Sequence, residues 1–67
     1  MAKPHPRIGD VAMILFAGSQ RIGDVVEIKG SGTDKRWTVL SKGIYYPCLT
    51  LDKTKMNHII DYSPVKT

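Results

Sequence analysis

The chain has 67 residues, ten Lys and Arg against six Asp and Glu for a formal net charge of +4, and one cysteine. That length allows one domain and a core that takes only about 60% of the unfolded chain's surface out of water, too little to build a deep, preorganised catalytic cleft. One cysteine excludes an internal disulfide, and no Cys/His set has zinc-ligand spacing, so neither metal nor cofactor is expected. The 42% hydrophobic and 24% charged residues are those of an ordinary globule, not of a disordered tail.

The opening residues, Met1-Ala2-Lys3-Pro4-His5-Pro6-Arg7, lack the apolar core of a signal peptide. The longest apolar run, Val11 to Ala17, falls far short of the roughly 20 residues that span a bilayer. These features and the unpaired Cys48 lead us to expect a cytoplasmic protein with no membrane partner. Residues 1–7 read as a flexible arm, 8–62 as the folded body and 63–67 as a flexible tail.

Arg7-Ile8-Gly9-Asp10-Val11 recurs as Arg21-Ile22-Gly23-Asp24-Val25, a period too short for a solenoid. Two strands, each entered by the same Gly-Asp turn, account for the echo. The first strand, Val11 to Phe16, is apolar on both faces and reads as central. Ala17 to Gln20 is turn-like, and a second strand follows at Gly23 to Lys29. Gly30 to Lys35 has a hairpin-loop composition. Arg36 to Leu40 is aromatic and β-branched, and Ser41-Lys42-Gly43 is a tight turn. A fourth strand covers Ile44 to Leu51, in which Pro47 marks a bulge or an edge and Cys48 reads as a buried thiol. Asp52 to Asn57 is a connection holding one short helical turn, and His58 to Tyr62 is the last strand. No window shows sustained helical periodicity. The expectation is an all-β, five-stranded small barrel, closed so that no long edge is exposed.

The alternation of Val11, Met13 and Leu15, then Gly18, then Gly23-Asp24-Val25-Val26-Glu27-Ile28, resembles a KOW motif within an SH3-like barrel, over residues 9–28. Gln20 stands where such motifs usually carry a further glycine. The resemblance implies an SH3-like strand order and a role in binding, with nucleic acid as partner.

Six cations, Lys29, Lys35, Arg36, Lys42, Lys53 and Lys55, fall at strand ends or in loops. Gathered at one pole, they would neutralise phosphates. The interspersed Asp10, Asp24, Glu27, Asp34, Asp52 and Asp61 equally fit a surface shaped by solubility. Tyr45 and Tyr46 are strand neighbours and must face opposite ways, so one is presented outward. With Trp37 it would form a stacking platform for bases, or a hot spot for a protein. The alternative is that Trp37 and one tyrosine fill the core. His58 near Asp61 has no positioned nucleophile, and no catalytic residue is expected.

The reading is a non-enzymatic module that binds nucleic acid with low specificity. Lys29, Lys35, Arg36 and Lys42 dock the backbone while Trp37 and Tyr45 or Tyr46 supply stacking. The rival reading is a protein–protein adaptor, such as a phage- or plasmid-encoded accessory factor that docks on a larger machine. A small core also favours a homo-oligomer.

Overall fold

A computed structural model describes residues 5–64. Its strands are β1 (Val11–Phe16), β2 (Ser19–Lys29), β3 (Arg36–Ser41), β4 (Ile44–Leu49) and β5 (His58–Ser63). They form one antiparallel sheet of order β4-β3-β2-β1-β5. The ends of that order are stitched where Thr50 bridges His58 and the Ile59 N–H donates to the Thr50 carbonyl at 2.8 Å. The sheet therefore curls around its own apolar side chains, and the all-β, five-stranded expectation holds. No helix among the described residues is long and apolar enough to cross a membrane.

Each strand contributes its inward-alternating residues to the core: Ala12 and Ile14, Val25, Trp37 and Val39, Leu49, and Ile59. Two hairpins set the register. Ala17-Gly18 and Lys42-Gly43 have φ of +50° and +83°, and of +53° and +80°. Positive φ at both central residues is the two-residue geometry whose twist matches paired strands. The first turn is tighter than Ala17 to Gln20, so β2 begins at Ser19 and not at Gly23. Ala17 holds this left-handed conformation without a side chain suited to it, at a cost of about 1–2 kcal/mol. Ala17→Asn creates the Asn-Gly pair that such turns prefer. It should raise stability by about 1 kcal/mol, seen as a thermal midpoint higher by about 4–8 °C.

The helical turn is displaced from its expected place. The one helical turn among the described residues is a 3-10 turn at Gly32–Asp34, between β2 and β3. In the 52–57 connection the Asp52 carboxylate accepts from the Thr54 N–H at 2.9 Å and the Thr54 hydroxyl at 2.7 Å. A side chain that captures the amide two residues on competes with helical bonding. β4 likewise ends at Leu49, not Leu51. Its pairing with β3 shifts across Pro47 and Cys48, between the Val39–Tyr46 and Trp37–Leu49 pairs. Pro47 thus marks the expected bulge. That bulge turns Cys48 outward at φ +60° and returns Leu49 to the core, so the thiol is exposed, not buried.

Residues 5–7, placed in the arm by sequence, pack on the barrel. Pro6 is buried, its carbonyl accepts the Trp37 indole N–H at 3.1 Å, and the His5 ring lies over Trp37 at 5.9 Å and 28°. Ser63, placed in the tail, pairs with Val11 as the end of β5. Residues 1–4 and 65–67 of the arm and tail lie outside the described residues.

The two copies of the echo have different structures. The first is a loop, in which the Asp10 N–H donates to the Arg7 carbonyl at 3.0 Å while the Asp10 carboxylate accepts from the Arg7 N–H at 2.9 Å. The second lies within β2, where Gly23 pairs with Ala12. They sit side by side, with the Gly9 N–H on the Val25 carbonyl at 2.8 Å and the Val25 N–H on the Asp10 carbonyl at 2.9 Å. The shared letters do not make a shared turn.

Candidate functional site

The four cations expected to act together are divided between the two ends of β3. Lys29 pairs with Arg36 at its start, and Lys35 immediately precedes it. Lys42 follows its last residue. Six strand residues at about 3.3 Å each put roughly 16 Å between the two groups. At the first end, Lys29 meets Glu27 at 3.9 Å, an exposed pair worth at most tenths of a kcal/mol. The Arg36 guanidinium donates to the Lys35 carbonyl at 3.0 Å.

The aromatic platform is also divided. Trp37 is 2% exposed: it packs with the core on the same face as Ile28 and Leu49 and cannot stack on a base. Tyr46 pairs with Val39 and meets Phe16 edge-on at 5.0 Å and 65°, half-buried. Tyr45, opposite Leu40 on the outer face, is 64% exposed. Strand alternation required one outward tyrosine, and Tyr45 is that residue.

What the fold brings together is different from the expected set. A cleft of about 320 Å³ opens at the end of the barrel that holds Lys42. Gln20, Arg21 and Ile22 of β2 form one wall, with Ser41 and Lys42 below and Ile44 and Tyr46 of β4 opposite. Its only charged lining residues are Arg21 and Lys42. The Ser41 hydroxyl donates to the Ile22 carbonyl at 2.6 Å and ties the floor to the β2 wall. Gly23 permits this approach, because a Cβ there would overlap the Leu40 carbonyl and lie 2.9 Å from Ser41 Cα. Arg21 is absent from the expected set of cations. The readable signal was the Ala17-Gly18 turn: starting β2 at Ser19 makes Arg21 a strand residue beside the second hairpin.

A second groove of about 260 Å³ lies at the other end, walled by His5, Lys35, Thr50 and Asp52 among others. The Asp52 carboxyl is held below its usual range, first by the Thr54 hydroxyl and then by the Thr54 N–H. His58 is buried, and its Nδ1–H donates to the Lys55 carbonyl at 2.8 Å. No group of three or more metal-ligating side chains occurs among the described residues. No protein-family model, curated protein or solved structure matches the chain.

Proposed function

We propose that this protein is a binding module that holds nucleic acid with low sequence specificity at the Arg21–Lys42 end of the barrel. The observation that carries the reading is a cleft whose charged lining is two cations and no carboxylate. Phosphates seated there displace counterions. The exposed ring of Tyr45, on the outer face of β4 and pointing away from the cleft, offers a base that leaves the cleft a stacking surface. Lys29, Lys35 and Arg36 at the far end supply a second, weaker contact, since Lys29 already meets Glu27. The KOW resemblance over residues 9–28 and a cytoplasmic setting belong to the same proposal. No bond is made or broken, so no catalytic residue is assigned.

The test is fluorescence anisotropy with a labelled single-stranded oligonucleotide over a salt series. Lys42→Ala and Arg21→Ala should each weaken binding across all sequences and lower the salt slope by about 1. Tyr45→Ala should cost about 1–3 kcal/mol. Absence of binding at low salt, or an affinity indifferent to salt, overturns the reading.

The adaptor reading has one observation in its favour: Met13, Ile22, Ile44 and Tyr45 are all large, apolar and exposed. Pull-down from nuclease-treated lysate separates the two. Partners that survive nuclease support the adaptor, and partners lost with the nucleic acid support the cleft as a phosphate site.

A further inference from the structure

We propose that the outer face of β1, β2 and β5 binds a second copy of this chain about a two-fold axis through the Met13–Ile22 pair. The proposal uses the cleft's Lys42 but does not depend on its binding nucleic acid. Met13 and Ile22 are cross-strand partners, 37% and 56% exposed. Hollows of about 210 and 90 Å³ flank them, and both residues wall each hollow. On the β5 side Met13 pairs with Asp61, which is exposed. On the β3 side, continuing the register two residues past the Asp24–Leu40 pair brings Lys42 beside Ile22, and both line the cleft with Arg21.

One row across the sheet therefore reads carboxylate, methionine, isoleucine, lysine, while Arg21, paired with the buried Ile14, projects to the opposite face. Such a row is its own complement. A two-fold rotation about its centre lays Asp61 of each copy over Lys42 of the other, and sets each Met13 and Ile22 against the partner's flanking hollows. An isologous interface needs this kind of self-matching, and a seam of two apolar pairs bounded by opposite charges has the apolar centre and polar rim of a protein interface. A standard interface takes roughly 800 Å² from each partner, about one-sixth of this chain's 4780 Å². The partner's Asp61 then occupies the cation cleft, so a second copy and an anionic ligand compete for it.

Sedimentation velocity of the full chain over a wide concentration range, without nucleic acid, tests this independently of the anisotropy assay. The wild type should form a dimer that weakens with dilution. Ile22→Glu should give monomer throughout. Asp61→Lys, and separately Lys42→Glu, should also give monomer, while the double variant Asp61→Lys/Lys42→Glu should recover the dimer. Trp37 fluorescence and circular dichroism establish that each variant is folded. A wild type monomeric at every concentration overturns the proposal, as does a dimer that persists in Asp61→Lys. Failure of the double variant to recover the dimer overturns the pairing of Asp61 with Lys42.

Discussion

Gly23→Ala should strip the protein of most of its stability. The added methyl meets backbone, not a movable side-chain tip: it overlaps the Leu40 carbonyl oxygen and sits 2.8 Å from that carbonyl carbon. Relief requires β2 and β3 to separate. That strains the Asp24–Leu40 and Val25–Val39 pairing and the 2.6 Å bond from Ser41 to the Ile22 carbonyl. Overpacking alone costs about 1–3 kcal/mol, and each hydrogen bond lost adds about 1 kcal/mol. A sum of roughly 3–5 kcal/mol removes most of the stability of a small domain, which runs at about 0.05–0.15 kcal/mol per residue. Gly9→Ala is the informative comparison. Gly9 has φ of +98° and open space around it, so the cost there is conformational only, about 1–2 kcal/mol. Urea melts of the two variants should differ clearly, with Gly23→Ala the worse. Equal midpoints would contradict the close approach of β3 to Gly23.

Trp37→Ala should be nearly as damaging. The indole is 2% exposed at the centre of the core, and truncating a buried aromatic costs about 3–5 kcal/mol. The same change removes the donor to the Pro6 carbonyl and the surface on which His5 rests, so the 5–7 segment should detach as well. Trp37→Phe keeps most of the packing and leaves the Pro6 carbonyl without its donor, a loss of about 1–3 kcal/mol. Thermal melts followed by far-ultraviolet circular dichroism give both values. Trp37→Phe should also leave oligonucleotide affinity unchanged once the protein is folded, because the ring faces the core. A loss of affinity in folded Trp37→Phe would return Trp37 to the binding surface.

The contrast between Gly9 and Gly23 shows why some features could be read from the sequence and others could not. Both sit in the same five-letter string, and local reasoning assigns both to a turn. Gly9 is in one. Gly23 is glycine because a strand distant in sequence passes too close for a side chain, and nothing in its neighbours along the chain announces that. The exposure of Cys48 follows the same pattern. Its apolar neighbours argued for burial, but the bulge at Pro47 shifts the alternation by one residue and turns it out. Asp52 displaced a helical turn by a bond to Thr54, a local competition that the Asp-x-Thr spacing could have revealed.

The candidate site was legible in its ingredients and not in its assembly. Lys42 and the Tyr45–Tyr46 pair were identified from residue type and strand alternation. Lys29, Lys35 and Arg36 satisfied the same criteria but are carried to the opposite end of β3, and Arg21 was passed over. The end of the barrel reached by a loop depends on strand count and direction together, a non-local property.

By itself the sequence determined the number of strands and their order along the chain. Those follow from a period-two apolar pattern broken by Gly-containing turns, and each is written within a few residues. Only the tertiary structure decided that Trp37 is structural, that Tyr45 faces outward, and that Arg21 and Lys42 share one cleft free of carboxylates. Pairing register and the meeting of hairpins across the curled sheet made those choices. They join residues of different strands and turns, Arg21 with Lys42 among them, and such proximity is a property of the closed sheet.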